Sequence, residues 1–349
     1  MTEALVNEFR GLLERRVLCG SSTVAVHAAE ILSRLIQSTP ATLSVKQLSL
    51  DIRRLGRTLE RAAPQELAVG NIVRRVLFAL SNESTLEEKE PSAQLGLVSS
   101  SSSRSLHTLL DLTSESPELD DSLTVGAVRS TLLGIIDEMI AELGNVYSRI
   151  ADQAIEYIHS SEVIMTAGRS NTLVRFLAGA KDFRKFQVFV AESAPGFVGQ
   201  SMAIELSKAG IDSTLITDSA VFALMSRMNK VVVGAHAILA NGGLIVHTGI
   251  YNIALAAKYY NVDFLVVTGL YKLCPIFAFH QDTINDYSSP ESILGYTESI
   301  LQEINVENPK YEYVPPELVT LLITNDQGYH PSYIYRLLSE FYRQEDYTL

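Results

Sequence analysis

Polar side chains suited to acid–base or anion-binding chemistry follow the ends of several apolar runs in the second half of the chain. The runs lead into Thr166-Ala167-Gly168-Arg169-Ser170, Ala191-Glu192, Thr217-Asp218 and Gly234-Ala235-His236, with Asn241-Gly242 nearby. The carboxyl ends of parallel strands meet at one edge of a sheet, where α/β proteins bind ligands. The sequence therefore predicts a candidate pocket lined by Ala167, Gly168, Arg169, Ser170, Glu192, Asp218, His236, Asn241 and Gly242.

The segment Gly168-Arg169-Ser170 precedes a predicted helix. It could hold a phosphate, because free N–H groups and the helix dipole favour an anion there. A glycine at such a tight turn is more often structural, and that interpretation stays open. The sequence contains neither a GxGxxG dinucleotide fingerprint nor a GxxxxGK(S/T) phosphate loop, so nicotinamide chemistry and nucleotide hydrolysis are not supported.

Few titratable groups lie at this edge. Glu192 and Asp218 are the carboxylates placed to titrate there, although we favour Asp218 as the cap of a helix beginning at Ser219. His236 could act as an acid or a base near neutral pH. A hydrogen-bonded loop histidine is favoured, because nothing else in the sequence places a proton acceptor beside it. The sequence has no GxSxG nucleophile elbow and no HExxH metal motif, and neither a metal nor a cofactor is predicted.

Apolar runs predict the strands that would position these residues: Val163–Thr166, Val188–Ala191, Thr214–Thr217, Val231–Gly234 and Phe264–Val267. Helical patterns alternate with them at Asn171–Ala180, Gln200–Ala209 and Ser219–Met225. The stretch from Lys230 to Tyr260 predicts a buried strand, a turn at Asn241-Gly242-Gly243 and an apolar helix. This alternation predicts a Rossmann-like α/β domain over residues 161–349, with a doubly wound parallel sheet.

The first half of the chain is predicted to be helical. Apolar residues recur at spacings of three and four in Glu3–Arg16, Thr23–Gln37, Ser44–Ala62, Pro64–Leu80 and Leu119–His159. The last segment is longer than an average helix and is expected to bridge the helical region to the sheet. Ser44 is expected to cap its helix, with Gln47 completing a capping box. The serine-rich stretch at about 81–116 predicts a flexible linker inside a helical domain over residues 1–160.

Composition narrows the classes of function. The formal net charge is −12, which argues against direct binding to nucleic acid, since such binding depends on clustered Lys and Arg. Arg53-Arg54 and Arg74-Arg75 are possible docking points for acidic partners, but a solvated helix face is the favoured interpretation. The two cysteines form no CxxC pair, and the amino terminus does not resemble a signal peptide. Polar residues interrupt the longest apolar stretch, so we predict a cytosolic protein that does not enter membranes.

Several long segments resemble the alpha/beta/delta regulatory-subunit family of eukaryotic translation initiation factor 2B, and its beta-type members most closely. These segments are HSSEVIMTAGRSNTLVRFL, KAGIDSTLITDSAVFALMSRMNKVVVGAHAILANGG, YVPPELVTLLITNDQGYHPSYIYRLLSE and VGNIVRRVL. The wider superfamily includes the methylthioribose-1-phosphate and ribose-1,5-bisphosphate isomerases. The resemblance covers nearly the whole chain apart from the serine-rich stretch.

The resemblance implies a scaffold without catalysis. In the isomerase relatives, a cysteine after the first strand and an aspartate after a glycine-alanine pair move a proton between sugar carbons. This chain carries Ala167 and His236 at those positions, and a methyl group cannot transfer a proton. The relatives' Asn-Gly-Asp reads Asn241-Gly242-Gly243 here. No catalytic residue is therefore expected. An active sugar-phosphate isomerase is the alternative, and a vestigial pocket that binds a sugar phosphate or nucleotide also stays open.

The resemblance also implies a protein that works by assembly. In the family, alpha, beta and delta subunits build a regulatory core with two copies of each. That core joins catalytic gamma and epsilon subunits in a hetero-decamer that promotes GDP release from initiation factor 2. It also holds the alpha subunit of factor 2, whose phosphorylation turns a substrate into an inhibitor. The implied partners of this chain are the alpha, gamma, delta and epsilon subunits and the alpha subunit of factor 2.

Family members also have a pocket accessible to small molecules where beta and delta subunits meet across a two-fold axis. On this chain the resemblance implies a beta side formed by Ser161, Val163, Gln187, Phe189, Thr214 and Ile216. These positions precede or alternate along strands, as side chains on one face of a sheet do. A purely packed interface without a ligand is an equally open interpretation.

Overall fold

The computed structural model of the chain describes residues 2–18, 20–87, 123–277, 285–296 and 304–349. Its α-helices are α1 Thr2–Glu14, α2 Ser21–Ser38, α3 Val45–Ala62, α4 Leu67–Glu87, α5 Val125–Tyr157, α6 Asn171–Lys181, α7 Val198–Lys208, α8 Val221–Met225, α9 Ile250–Tyr260 and α10 Ile334–Phe341. Its strands are β1 Val163–Ala167, β2 Gln187–Ala191, β3 Asp212–Ile216, β4 Lys230–Gly234, β5 Ala237–Ile238, β6 Leu244–His247, β7 Asp263–Val267, β8 Tyr311–Val314, β9 Leu321–Ile323 and β10 Gly328–Tyr329. Helices thus precede an α/β region, which confirms the predicted fold class.

The predicted amino-terminal helices are present, but the capping box expected for α3 is only half formed, since the Gln47 side chain donates to Asp51 Oδ1 at 3.3 Å. Ser44 Oγ accepts a hydrogen bond of 3.3 Å from the Gln47 N–H group, so the serine caps α3. In α5 the buried side chains recur every three or four residues from Val125 to Ala154. This helix packs against α2 and α4 and also against α6, which confirms that it bridges the helical region to the sheet.

The main sheet has seven strands in the order β10-β9-β7-β4-β1-β2-β3. Strand β10 is antiparallel to β9, and the other neighbours are parallel. One face packs against α5, α6 and α7, and the other against α8, α9 and α10. Burial on both faces explains why the central strands are almost wholly apolar, whereas the edge strand β3, with the sequence DSTLI, is partly exposed. The strand order reverses between β1 and β4, so their carboxyl ends flank the switch point of the sheet.

A smaller antiparallel sheet of β5, β6 and β8 was not predicted from the sequence. Strands β5 and β6 form a hairpin around the predicted turn at Asn241-Gly242-Gly243, and β8 pairs with β6. The turn requires glycine, because Gly242 has φ +80° and a Cβ there would lie 2.5 Å from the Pro331 carbonyl oxygen. Strands of two and four residues are too short for a periodicity to reveal them.

The predicted linker differs from the structure at its beginning. Helix α4 continues to Glu87, so residues 81–87 are helical and not part of a linker. Residues 88–116 of the predicted linker lie outside the described residues. The predicted helix Ser219–Met225 is split into a 3-10 turn at Asp218–Ala220 and the short helix α8. No helix within the described ranges is long and apolar enough to cross a membrane.

Candidate functional site

The predicted pocket residues meet at the carboxyl edge of the main sheet, beside the switch point. Ala167 ends β1 and is buried, and Gly168 follows it with φ +71°. Glycine is favoured at position 168 by this positive φ, since a Cβ there would make only an ordinary contact of 3.6 Å with the His247 ring. Ser170 Oγ accepts the Leu173 N–H group at 3.3 Å, so a side chain of the protein itself caps α6.

Arg169 and Glu192 make internal contacts at this edge. Arg169 pairs with Glu205 of α7 through an Nη2–Oε1 distance of 2.7 Å. The backbone N–H group of Glu192 donates to the Ile216 carbonyl at 2.9 Å, and its own carbonyl accepts from Gly199 at 3.1 Å. The contacts that the structure gives these two residues therefore hold the elements around β2 together.

Asp218 ties the loop after β2 to the end of β3. Its Oδ1 accepts the Ser193 N–H group at 2.9 Å, and its Oδ2 accepts the Ala194 N–H group at 2.7 Å. The residue before the 3-10 turn is Thr217, whose side chain makes no capping bond. The favoured interpretation of Asp218 as a helix cap is therefore wrong. Adjacent N–H groups that could have bound an external anion are instead bound by this carboxylate.

The amino terminus of α9 opens towards the same edge and is also occupied. The Glu312 carboxylate, on β8, accepts hydrogen bonds from the N–H groups of Gly249, Ile250 and Tyr251. Burial raises the pKa of Glu312 above its ordinary value, although these hydrogen bonds act in the opposite direction. A helix amino terminus is a favourable position for an anion, and here the anion belongs to the protein. The sequence alone does not reveal this contact, because β8 is far along the chain from α9.

His236 contacts the loop between two of the amino-terminal helices. Its Nε2 atom lies 2.7 Å from the Gln65 carbonyl oxygen, in the loop between α3 and α4. Because a carbonyl only accepts, Nε2 carries the proton. The ring stacks on Tyr311 with 4.4 Å between centroids. Burial lowers the pKa of His236 to about 4, so the ring is neutral at physiological pH. The prediction of a hydrogen-bonded loop histidine is confirmed.

Glu66 and Lys272 lie beside this histidine and were missed in the sequence. Burial raises the pKa of Glu66, and among the described residues its Oε2 atom has no hydrogen-bond partner. Burial lowers the pKa of Lys272 to about 8, while Glu66 acts to raise it. The Lys272 Nζ atom donates to the Ala235 carbonyl at 2.8 Å. Lys272 follows β7, so an inspection of the residues after every predicted strand would have found it.

Asn241 and its glycines shape the hairpin of the small sheet. The Asn241 Nδ2 atom donates to the Tyr313 hydroxyl at 2.7 Å, and its Oδ1 atom accepts the Gly243 N–H group at 2.9 Å. A Cβ on Gly243 would lie 2.6 Å from the Tyr313 hydroxyl. Packing against Tyr313 therefore requires a glycine at position 243, because a larger side chain there would displace the tyrosine.

The groups described above are mainly engaged in contacts within the chain. Ala167 has no nucleophile or proton to offer, and the proton on His236 Nε2 is directed at a carbonyl. Some of the backbone N–H groups at this edge are already bound, by Ser170, Asp218 and Glu312. Among the described residues, no group of three His, Cys, Asp or Glu side chains is placed to hold a metal ion.

The second predicted set of residues lies on one face of β1, β2 and β3. Val163 is paired with Gln187, and Phe189 with Thr214, so these side chains and Ile216 share a face. Phe189 is buried, whereas the others on this face are partly exposed. Ser161 precedes β1 and is exposed. The short helix α8 leaves this part of the sheet incompletely covered. That a partner binds this face stays a prediction.

Comparison with known proteins supplies the family. The family model described as "Initiation factor 2 subunit family" matches residues 17–331. A match over this much of the sequence shows that the chain belongs to that family.

The most informative relatives are subunits of one translation initiation factor. The chain is 40% identical to a Dictyostelium discoideum protein named translation initiation factor eIF2B subunit beta, over 96% of this chain and 94% of the relative. A Schizosaccharomyces pombe protein of the same name is 35% identical, over 97% and 95%. The fold is similar to a chain in the crystal structure of the tetrameric eIF2B-beta2-delta2 complex from C. thermophilum. That similarity has a TM-score of 0.72 and 26% identity, over 98% of this chain and 96% of the other.

Proposed function

We propose that this chain is a non-catalytic regulatory subunit, of the beta type, in a guanine-nucleotide exchange factor that promotes GDP release from translation initiation factor 2. The observation that carries the absence of catalysis is the occupied carboxyl edge of the sheet. Ala167 stands where the isomerase relatives carry a reactive cysteine, and the Asp218 and Glu312 carboxylates bind backbone N–H groups at this edge.

The proposed partners follow from the relatives. A beta-type relative assembles with delta subunits in the tetrameric complex. We propose that this chain likewise binds a delta-type subunit, and that the resulting core joins alpha, gamma and epsilon subunits in the cytosol. In this proposal the core also binds the alpha subunit of factor 2 and responds to its phosphorylation. The face formed by Val163, Gln187, Thr214 and Ile216 is the proposed contact with the delta-type subunit.

The test of this proposal is reconstitution. Complexes containing the chain should release GDP from factor 2 faster than the catalytic subunits alone, and phosphorylated factor 2 alpha should suppress that gain. The chain alone should not convert methylthioribose-1-phosphate or ribose-1,5-bisphosphate to a ketose. Isomerisation above background would instead support the alternative function.

The proposed contact face can be tested with neighbouring residues of β3. Ile216→Asp would place a charge against the partner and should weaken assembly about 30-fold or more, because an unpaired charge would be buried. Leu215→Asp is the matched control: Leu215 points to the opposite face and is 45% exposed. Equal effects of the two substitutions on binding to a delta-type subunit would remove this face from the proposal.

A further inference from the structure

The last residues of the chain leave the α/β domain and lie against the helical domain. Residues 343–349 follow α10 and contain a 3-10 turn at Gln344–Asp346. Asp346 and Leu349 are buried, whereas Glu345 and Thr348 are exposed. A Cβ on Gly56 of α3 would lie 3.0 Å from Leu349 Cδ1 and 2.8 Å from Val73 Cγ1 of α4. Leu349 therefore occupies a groove between α3 and α4, the α3–α4 groove.

Arg53 binds the acidic side chain of this segment. Its Nε and Nη2 atoms donate to Asp346 Oδ1 at 3.0 and 2.8 Å. Only 1% of Asp346 is exposed to solvent. Charge-assisted hydrogen bonds of this kind are stronger than neutral ones, and removal of one partner leaves a buried charge unpaired. The contact therefore discriminates strongly in favour of a carboxylate at position 346.

Arg74 binds the backbone of the same segment. Its Nε atom donates to the Asp346 carbonyl at 3.0 Å, and its Nη2 atom donates to the Tyr347 carbonyl at 3.2 Å. Glu60 holds the guanidinium in place at 2.9 Å. Gly70 makes room for this pair, since a Cβ there would lie 2.0 Å from the Glu60 carboxylate. Arg74 is 2% exposed, so the interpretation of these arginine pairs as a solvated face is wrong for Arg74.

Arg53, Arg74 and the α3–α4 groove together bind one carboxylate, two backbone carbonyls and one aliphatic side chain of this segment. Peptide-recognition sites bind short segments through the same kinds of contact. We propose that the α3–α4 groove is a recognition site for an acidic Asp-x-x-Leu segment, occupied by residues 343–349 of the same chain. This segment then acts as a strap that fastens the helical domain to the α/β domain. The proposal does not depend on nucleotide exchange, so it can fail or hold independently of the proposed function.

The first test uses the full-length chain and a labelled peptide, RQEDYTL, which corresponds to residues 343–349. Asp346→Arg should release the strap, because the new cation would face Arg53 and Arg74. The freed groove should bind the peptide at least ~10-fold more tightly than the wild-type groove, where the tethered strap competes at high effective concentration. Glu345→Gln is the matched control, since Glu345 is exposed, and it should behave like the wild type.

Peptide variants make the test specific. The Asp346→Asn peptide should bind the released groove at least ~10-fold more weakly than RQEDYTL, and the Glu345→Gln peptide should bind equally well. Failure of the folded Asp346→Arg chain to bind RQEDYTL would overturn the proposal. So would equal binding of the two variant peptides.

A second measurement covers the case in which Asp346→Arg does not fold. Amide hydrogen exchange is measured in full-length Asp346→Asn and Glu345→Gln chains. In Asp346→Asn, exchange should be faster in residues 343–349 and in the facing turns of α3 and α4. In Glu345→Gln, exchange should match that of the wild type. Indistinguishable exchange in the two variants would overturn the strap. Light scattering that shows an Asp346-dependent dimer of the wild type would mean that a second copy occupies the groove, and would overturn occupation within one chain.

Discussion

Two regions of the main sheet differ in how far their side chains and backbone groups are engaged within the chain. At the carboxyl edge, the donors beside β1, β2 and α9 are bound by Ser170, Asp218 and Glu312 of the same chain. On the face of β1 to β3, apolar and polar side chains are left partly exposed beside an incomplete helical layer. At the first region, backbone N–H groups already have acceptors within the chain, whereas the second region has side chains that are partly exposed.

This difference indicates which properties substitutions in each region should change. A ligand that entered the carboxyl edge would have to displace carboxylates already bound to backbone N–H groups. A partner on the β1–β3 face would only remove further apolar surface from water, which is favourable. Substitutions at the edge should therefore affect stability and pH dependence, whereas substitutions of the partly exposed residues on the face should affect assembly. Phe189 is buried on that face, so a substitution there should affect stability.

The largest effect is expected for Phe189→Asp, which sharpens the comparison within the β1–β3 face. Phe189 is buried in the single chain, so an aspartate there should lower the free energy of unfolding by about 3–5 kcal/mol, through lost packing and a buried charge. Urea denaturation measures this. Phe189→Leu is the control and should cost much less. A stable Phe189→Asp chain would mean that the side chain belongs to the open surface.

A pH-dependent effect is expected at the carboxyl edge. The pKa of His236 is lowered from 6.5 to about 4 by burial, so the folded state favours the neutral ring. Its contribution to stability is full above pH 6.5 and is lost as the pH falls towards 4. Between those limits, the wild type should lose up to about 3 kcal/mol more unfolding free energy than His236→Phe, which cannot titrate.

Thermal or urea unfolding at a series of pH values checks this expectation. His236→Phe also removes the hydrogen bond to Gln65, but that loss is a constant offset between the two curves. Parallel curves for the wild type and the variant would show that the pKa of His236 is the same in the folded and unfolded states, and that its burial is weaker than the structure indicates.

A smaller effect is expected for the internal anion at α9. Glu312→Ala would leave the N–H groups of Gly249, Ile250 and Tyr251 without their acceptor and should cost about 1–3 kcal/mol. Glu312→Gln keeps an acceptor oxygen and should cost less. Chemical denaturation of both variants separates the hydrogen bonds from the charge. If both variants are as stable as the wild type, the carboxylate does not hold the helix terminus.

The smallest effect is expected for Ala167→Ser. A hydroxyl at this buried position adds little volume, and if no reaction takes place there, GDP release by the reconstituted complex should be unchanged. The stability of the chain should change by about 1 kcal/mol or less. A clear loss of exchange activity without a loss of stability would show that the end of β1 takes part in function after all.

The sequence alone was sufficient for elements whose signals are local. The strands β1, β2, β4 and β7 are short apolar runs, the cap at Ser44 is a contact between near neighbours, and Gly168 stands at a turn that needs a positive φ. The residues at the carboxyl edge could be grouped because parallel strands bring their ends together. What those residues do there could not be inferred, as the wrong assignment of Asp218 shows.

Tertiary structure decided every feature that depends on partners distant in the sequence. The small sheet needs β8 to pair with β6, and Glu312 reaches α9 only through that pairing. Arg53 looks like a surface arginine in α3 until Asp346 from the end of the chain lies beside it. The physical reason is the range of the signal. Helix and strand patterns depend on residues that are neighbours in the sequence. The burial and pairing of a charged side chain depend on distant segments that the fold places beside it.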